Sequence, residues 1–429
     1  MSQLSQVIRF ASGLYRQRAG VAWNGYLRRD PMALLQLQPG RVDPYAVYGR
    51  LRTGGPLTPT RLGNWVSTSH PVCDSVLRDR RFGASPAADG EPASPDAFDL
   101  SFLEMNPPDH SRLRRLAMPA FSPKAVAGYA GRIERTAGDL LDAASAAGRF
   151  DLVSGFAAPL PIAVITDLLG IPDSHSVDFA RHGMLIGGAL DGIRSLRHAG
   201  QLQASNQQLT LLFEQLFELR RSEPRDDIVS LLVAAEGDQI RPAEMLSMCV
   251  LLLIAGFETT VNLISNAVLA LLGHPGQWRA LCADPAGLAR RVVEETLRWD
   301  PPVQRTGRFA LEPLELAGQP VRKGELVVTL IGAANRDPEV YQRPDTFDIL
   351  REGGPGHLAF SSGIHYCLGQ SLARLEAAIA LRMLAERMPG LARDGSVQRR
   401  NATTIRGPVR LPVTAGPAPV RAGAARTPR

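Results

Sequence analysis

The clearest pattern along the chain is a series of apolar residues that recur at helical spacing. This spacing covers Arg132–Ala147 and Leu202–Leu219, and each stretch predicts an amphipathic helix. A longer apolar segment, Pro242–Leu272, opens with proline near the first helical position. It closes on Gly273 and Pro275, which are typical stop signals. The pattern predicts a helix of about 30 residues and about 45 Å, which must cross most of the molecule.

A strand-rich region follows the long segment. Three short β-like stretches are separated by turns at Gly318 and Gly324: Arg308–Leu311, Leu314–Leu316 and Leu326–Ile331. A last helix is predicted from about Leu368 to Met388. We therefore expect a mainly α protein, with one large domain over residues 1–415, a long central helix and a small β-rich region. Residues 83–95 are expected to form a loop, and residues 416–429 a disordered tail.

Composition excludes several classes of protein. Hydrophobic residues make up 45% and charged residues 21% of the 429 residues, which are globular values. The four cysteines are widely spaced without a C-x-x-C pair, so neither a disulfide framework nor a zinc site is expected. The most apolar stretch, Met245–Phe257, is too short for a membrane span of about 20 residues. Arginines interrupt the apolar N-terminal residues, so no signal peptide is expected. These features predict a soluble, cytoplasmic protein.

The net charge of +6 comes from arginine, because Lys124 and Lys323 are the only lysines among 48 basic residues. Such an excess is compatible with a docking face for an acidic partner or with ordinary solvated charge. No basic run with interleaved aromatic residues indicates nucleic-acid binding.

The first candidate for chemistry is the segment Phe360–Gly369, which reads Phe-Ser-Ser-Gly-Ile-His-Tyr-Cys-Leu-Gly. Cys367 lies where an irregular loop meets a predicted helix N-terminus, and unpaired N–H groups there can stabilise a thiolate. Glycines on both sides allow sharp turns and a close approach to a flat ligand. A haem-thiolate centre requires a shielded sulfur of this kind. Taken alone, however, a cysteine is more often a buried core thiol.

Two further motifs lie on predicted helices. Glu295 and Arg298 are three residues apart and can pair on one helix face, although E-x-x-R is common by chance. The segment Ala255–Thr260, Ala-Gly-Phe-Glu-Thr-Thr, lies inside the long helix, where Gly256 costs about 1 kcal/mol relative to alanine. Gly256 is compatible with close helix packing and a threonine hydroxyl bonded back to a carbonyl group. It is also compatible with a local distortion that opens a groove for a diatomic ligand.

The order and spacing of these motifs are more specific than any one of them. Thr259, then Glu295 and Arg298, then Cys367 follow the order of the cytochrome P-450 family, which the chain resembles over nearly its whole length. The resemblance implies the cytochrome P-450 fold and haem b (iron protoporphyrin IX), with Cys367 as the proximal iron ligand. It also implies a bacterial-type monooxygenase that uses O₂, and electrons from a ferredoxin and its reductase, to oxygenate a small lipophilic substrate.

The same resemblance implies roles for individual residues. The haem propionates would be bound by basic side chains: His110, Arg114, His365 and Arg308, with Arg305 as a nearby alternative to Arg308. Other residues would line the haem or pack near its ligand loop: Ala255, Gly256, Phe360 and Gly369. Glu258 and Thr259 resemble the acid–alcohol pair that guides protonation of bound dioxygen. Glu295, Arg298 and Arg351 resemble a buried ion network that supports the ligand loop.

One position departs from the family pattern. Many relatives have glycine directly after the phenylalanine of the ligand motif, where this chain has Ser361. The hydroxyl group could alter hydrogen bonding around the sulfur and thereby its potential. The arginine excess also motivates a hypothesis that Arg112, Arg115 and Arg374 form the docking surface for the electron donor.

Other functions remain compatible with the sequence. The apolar long-helix wall and Pro302-Val303 favour a lipophilic substrate, but they do not identify it. We also expect the protein to be a monomer. A haem-thiolate enzyme could instead oxidise or couple substrates without net oxygen insertion. A non-catalytic haem sensor and an all-helical interaction scaffold are the remaining alternatives.

Overall fold

A computed structural model of the chain describes residues 3–86, 100–188, 193 and 195–416. The described residues form fifteen α-helices: α1 (Gln3–Ala22), α2 (Pro31–Leu35), α3 (Tyr45–Arg52), α4 (His70–Arg78), α5 (Asp109–Ala117), α6 (Pro123–Ala147), α7 (Pro159–Leu169), α8 (Asp173–Gly187), α9 (Leu196–Ser222), α10 (Ile228–Ala234), α11 (Pro242–Gly273), α12 (Pro275–Ala283), α13 (Pro285–Trp299), α14 (Ile331–Ala334) and α15 (Gln370–Arg387). The protein is mainly helical, as predicted.

Short strands form the minor part of the described fold: β1 (Thr58–Pro59), β2 (Trp65–Ser67), β3 (Phe82–Gly83), β4 (Arg149–Asp151), β5 (Thr306–Ala310), β6 (Leu314–Leu316), β7 (Gln319–Val321), β8 (Leu326–Thr329), β9 (Ala392–Arg393), β10 (Gln398–Arg399), β11 (Pro408–Arg410) and β12 (Pro412–Thr414). The largest sheet has the order β1-β2-β8-β5-β3, in which only β2 and β8 pair in parallel. The hairpin β10–β11 lies apart from that sheet and brings the segment between its strands towards α11.

Helix α11 is the central element of the main core. Pro242 occupies its first turn, and the backbone N–H of Arg241 donates to the Glu244 carboxylate at 2.9 Å, which closes a capping box. α11 is the one described helix that is long and apolar enough by itself to cross a membrane, but 78% of its most apolar window is buried inside the protein. A helix enclosed on all sides by its own chain is a core helix.

The predicted elements match the structure closely where the chain has strong stop signals. The central helix ends at Gly273, and the turns at Gly318 and Gly324 both have positive φ angles. Helices α6 and α9 begin earlier than predicted because Ser122 and Ser195 cap them, each accepting a backbone N–H three residues ahead. Strand β7 was not predicted. Much of the expected 83–95 loop, and residues 417–429, lie outside the described residues.

Candidate active site

The cysteine loop joins a short 3₁₀ turn at Gly363–His365 to the N-terminus of α15. The backbone N–H of Cys367 donates to the carbonyl oxygen of Phe360 at 2.9 Å, which closes the loop. Gly363 has a φ angle of +67°, and a Cβ atom there would lie 2.3 Å from the carbonyl oxygen of Leu77. Glycine is therefore needed at this position so that the loop can pack against the backbone at the end of α4.

Ser361 has a φ angle of +64°, in the left-handed region that an L-residue enters at a cost. Its backbone N–H donates to the carbonyl oxygen of Leu358 at 2.8 Å, which holds this conformation. Its hydroxyl group is buried and has no hydrogen-bond partner within the described residues. The position thus suits glycine on conformational grounds, and serine occupies it with backbone strain.

The Cys367 thiol lies in an environment with opposing electrostatic effects. Burial raises its pKa, while a hydrogen bond from the backbone of Gly369 and the charges of Arg114 and Arg374 lower it. The net direction is upward, so the protein groups alone favour the thiol. A metal cation bound to the sulfur would reverse that balance, because a coordinating thiol loses its proton outright. The loop therefore suits a thiolate ligand of a metal.

Four basic side chains converge beside the cysteine loop: His110, Arg114, Arg308 and His365. The two imidazole rings lie 4.3 Å apart between centroids. Burial and the neighbouring arginines lower the pKa of His110 to about 4, and burial, Arg308, His110 and Arg114 lower that of His365 to about 2. Burial also lowers the pKa of Arg308 to about 10.

These basic groups lack an acidic counterpart in the described part of the chain, where no carboxylate pairs with any of the four. Both ring nitrogens of His110 and Nε2 of His365 are buried without a described hydrogen-bond partner. Buried imidazole nitrogens without a partner are costly, and so is charging the histidines beside two arginines, unless an anion joins them. The cluster therefore suits a ligand that carries carboxylates, and the two propionates of haem meet that requirement.

The structure also shows how Arg308 differs from the alternative Arg305 in its contacts. The Arg305 guanidinium extends towards the hydroxyl groups of Thr403 and Thr404, with Nη2 2.8 Å from Thr403 Oγ1. Arg308 is buried with the histidines and donates to Gly307 O at 2.8 Å. Arg308 is thus the arginine of this segment that is placed to meet an anion beside His365.

On α11, Ala255 is exposed although most neighbouring positions of the helix are buried. The Thr259 hydroxyl donates to the Ala255 carbonyl at 3.0 Å, and Thr260 bonds back to Gly256 in the same way. A Cβ atom at Gly256 would lie 2.5 Å from Ile165 of α7. The helix is α-helical without a break through this segment. The described helix therefore favours the packing alternative for Gly256, and it shows no local distortion.

Glu258 is buried and forms an ion pair with Arg400, which lies between β10 and β11. A Cβ atom at Gly187 of α8 would lie 2.9 Å from Glu258 Oε2, so the absence of a side chain there makes room for the carboxylate. Sequence reasoning missed Arg400, because nothing local distinguishes it from the many other arginines. Only the folded hairpin brings it to α11.

Glu295, Arg298 and Arg351 form a buried ion network. Glu295 accepts from Arg298 Nε at 2.7 Å and Nη2 at 2.8 Å, and from Arg351 Nε at 3.2 Å. The backbone N–H of Asp348 also donates to Glu295 at 2.8 Å. Arg298 also donates hydrogen bonds to the backbone carbonyl oxygens of Asn335, Pro344 and Thr346. The network thus fixes the irregular chain that precedes the cysteine loop to α13.

The other predicted residues near the loop also have defined contacts. Phe360 is buried, and the Arg374 guanidinium lies 4.4 Å from the centre of its ring. Gly369 caps α15 and provides the backbone hydrogen bond to the cysteine. Arg374 itself pairs with Glu294 at 2.6 Å, and Arg112 is neutralised in a different ion pair. Two of the three proposed docking arginines are therefore already compensated.

Comparisons with known proteins agree with this geometry. The family model for cytochrome P450 matches residues 287–388, which include Glu295, Arg298 and Cys367. The chain is 38% identical over 357 residues to a biotin biosynthesis cytochrome P450 of Bacillus subtilis, covering 81% of this chain and 90% of that one. It is 41% identical over 373 residues to cytochrome P450 107B1 of Saccharopolyspora erythraea, covering 83% and 90%.

Solved structures give the same result. A crystal structure of P450BioI in complex with an acyl carrier protein that bears hexadec-9Z-enoic acid superposes with a TM-score of 0.82 at 36% identity, covering 87% of this chain and 98% of that one. CYP164A2 of Mycobacterium smegmatis also gives 0.82, at 38% identity, covering 90% and 99%. The chain belongs to the cytochrome P450 family, whose members are haem-thiolate monooxygenases.

Proposed function

We propose that this protein binds haem b through Cys367 and inserts one oxygen atom from O₂ into a small lipophilic substrate. The observation that carries the proposal is the position of four uncompensated basic side chains beside the cysteine loop. A metal held in a macrocycle that bears two carboxylates requires a sulfur ligand for the metal and basic side chains for the carboxylates. When bound, haem supplies the redox chemistry that cleaves dioxygen, favoured by electron density from a thiolate.

The basic cluster would hold the haem carboxylates. His110 and Arg114 are one helical turn apart on α5, while Arg308 and His365 approach from β5 and the loop. Carboxylates placed there would satisfy the buried imidazole nitrogens and would oppose the burial and the repulsion that lower their pKa values. The proximal residues Phe360 and Gly369 would then shield the sulfur and donate a hydrogen bond to it.

Glu258 and Thr259 would handle protons on the opposite side. The Thr259 hydroxyl can change its hydrogen-bond partner. Its present acceptor is the Ala255 carbonyl, which belongs to the helix backbone and does not depend on this bond. Glu258 is fixed by Arg400 and can pass a proton towards Thr259 only after this ion pair loosens. The acid–alcohol pair favours oxygen activation over a purely carrier role.

Two similar proteins and the apolar residues near Val303 support a proposal for the class of substrate. One relative, 36% identical over 395 residues, is 6-deoxyerythronolide B hydroxylase, and one structural neighbour at 37% identity contains myristic acid. Myristic acid is a fatty acid with a long apolar chain. Val303, which the sequence places near the substrate, pairs with the apolar Ile405 in an isolated β-bridge. We propose an apolar small molecule as substrate and cytoplasmic turnover by a monomeric domain over residues 1–415.

Electrons would come from a ferredoxin and its reductase. An open groove of about 1160 Å³ borders the outer side of the cysteine loop, lined by Ser362, Tyr366 and the exposed Arg290 and Arg291. This groove, which Arg374 also lines, and separately the exposed Arg115 are the docking hypothesis. Charge reversal at Arg115 should slow reduction by the donor, and an unchanged rate would remove it from the surface.

The decisive experiment is the absorption spectrum of the reduced, CO-bound protein. Wild type and a Cys282→Ala control should show the strongly red-shifted Soret band of a thiolate ligand. Cys367→Ser should lose that shift. A red-shifted band in Cys367→Ser would mean that another residue is the ligand and would refute the proposal.

Isotope labelling separates the remaining functions. Product that contains one atom of ¹⁸O from labelled dioxygen supports monooxygenation, whereas product without label indicates oxidation or coupling without insertion. A ligand that shifts the haem spectrum but never raises NAD(P)H consumption, given electron donors, would favour a sensor. If the purified protein showed no haem absorbance, the alternative of an interaction scaffold would be favoured.

A further inference from the structure

Helix α1 and the π-helical turn Trp23–Leu27 that follows it form an arm at one side of the molecule. The main contacts of α1 within the described residues are with that turn and with α2. None of residues 11–22, the part of α1 whose side chains are described, is buried. An amphipathic helix gains most of its stability from a partner that covers its apolar face, and the described fold covers little of this one.

The arm exposes large apolar and aromatic side chains close together. Tyr15 is 52% exposed, Trp23 56%, Tyr26 58% and Leu27 66%. Single exposed apolar residues are ordinary on protein surfaces, but Trp23, Tyr26 and Leu27 are exposed within one five-residue turn, and clusters of this kind mark interaction sites. Tyrosine and tryptophan have an apolar body and a polar tip, which suits the boundary between water and lipid.

The charge of the arm has one sign. Residues 1–29 contain five arginines and no aspartate, glutamate or lysine, whereas the whole chain has 48 basic and 42 acidic residues. Arg16, Arg18, Arg28 and Arg29 are all exposed. The first acidic residue, Asp30, is buried and caps α2 through the backbone N–H of Ala33 at 2.8 Å. It therefore offers the arm no exposed negative charge.

We propose that α1 and Trp23–Leu27 bind the surface of an anionic lipid bilayer. The arm combines exposed aromatic residues with a purely cationic set of arginines, and the long arginine stems allow the charge to remain at the headgroups while apolar atoms enter the lipid. Each arginine near such a surface contributes about fivefold in affinity at moderate salt. The arm lies on the membrane and does not cross it, because arginines interrupt its apolar residues.

Lipid explains this combination better than a second copy of the chain does. A second copy of the chain would present the same arginines and would repel the arm, whereas an anionic leaflet complements all of them at once. The orientation would hold the enzyme where lipophilic molecules accumulate. The inference does not depend on the proposed reaction, because binding can be measured without turnover.

The test is cosedimentation of the full-length holoenzyme with vesicles. One set contains phosphatidylcholine alone and the other phosphatidylcholine with phosphatidylglycerol. Wild type should bind the anionic vesicles at least about tenfold more tightly, and added salt should weaken that binding. Arg16→Glu/Arg18→Glu should reduce the affinity at least about tenfold. Arg135→Glu/Arg279→Glu, which reverses two exposed arginines on α6 and α12, should leave it within about twofold.

A second readout follows the aromatic patch. Trp23 fluorescence should shift to the blue on anionic vesicles, and the shift should be absent from Trp23→Phe. Trp23→Ser/Tyr26→Ser should bind at least about tenfold more weakly, since about two aromatic contacts with the interface are lost. All variants should retain the spectrum of the reduced, CO-bound protein, which shows that the catalytic fold is intact.

Three results would overturn the proposal. Equal binding to both vesicle types would exclude the role of the arginines. Absence of binding at low salt would exclude the membrane altogether. A wild-type dimer in light scattering that becomes monomeric in Trp23→Ser/Tyr26→Ser, with no vesicle binding, would assign the arm to a second copy of the chain.

Discussion

Replacing Glu295 with glutamine should be among the most destabilising single changes near the cysteine loop. The carboxylate is 5% exposed and lies between Arg298, which is 4% exposed, and Arg351, which is 12% exposed. The amide of Glu295→Gln keeps nearly the same volume, so the packing is retained while the negative charge is lost. The guanidinium groups of Arg298 and Arg351 then have no negative charge beside them in the network.

The magnitude follows from those contacts. Removing one partner of a buried ion pair costs about 3–5 kcal/mol. Arg298 and Arg351 keep backbone carbonyl acceptors, and the amide oxygen still accepts one hydrogen bond, so the lower end applies. A loss of about 3 kcal/mol is a large part of the 5–15 kcal/mol that stabilises a typical fold. The folding equilibrium would shift by about 150-fold.

The neighbouring residue provides a matched control. Glu294 is 46% exposed and pairs with Arg374 at 2.6 Å and with His357 at 3.2 Å. Because solvent screens this pair, Glu294→Gln should cost less than about 1 kcal/mol. Urea unfolding followed by far-UV circular dichroism and by Soret absorbance measures both variants. The reasoning is refuted if Glu295→Gln unfolds within about 1 kcal/mol of wild type, or if the two variants cost the same.

Three further changes test other parts of the site. Ser361→Gly removes a left-handed serine and a buried hydroxyl group without a described partner. The free energy of unfolding in urea should therefore rise by about 1 kcal/mol. A lower free energy of unfolding would contradict the argument that Ser361 is strained. Glu244 has a pKa of about 2 because hydrogen bonds from two arginines outweigh burial, so its stabilisation should be complete above its ordinary pKa of 4.5 and disappear as the pH falls towards 2. Unfolding of Glu244→Gln across that range should show a flatter pH dependence than wild type. Arg400→Gln leaves the Glu258 carboxylate without its charge partner and favours proton uptake there, so the pH profile of product formed per NAD(P)H should move upward; Arg399→Gln should not move it.

Local signals in the sequence account for most of what could be predicted. Pro242 and Gly273 mark the central helix because proline and glycine act on the backbone wherever they stand. The Cys367 segment was recognisable for a similar reason, since its glycines and its place before a helix are properties of neighbouring residues. Helix α6 shows the limit of apolar periodicity, because its N-terminal turns carry no strong apolar pattern and their start is marked only by the Ser122 cap and Pro123.

Contacts between distant segments could not be predicted. The sequence favoured Arg308 but left Arg305 as an alternative, and only the fold shows that Arg305 extends towards Thr403 and away from the histidines. Arg400 is one of two adjacent arginines, and the hairpin geometry alone brings it to Glu258. Both cases involve long, flexible side chains whose partners depend on tertiary structure, so no local pattern selects them.

Gly256 shows why a residue type can leave its role open. A missing side chain indicates that something approaches closely, but it does not say whether a helix or a ligand does so. Here Ile165 of α7 fills that space, so the glycine is explained by packing. The reactive groups of α11 must therefore act from an unbroken helix. Thr259 can then reach a ligand only by giving up its bond to Ala255, and this exchange is inexpensive because that carbonyl oxygen retains its main-chain hydrogen bond.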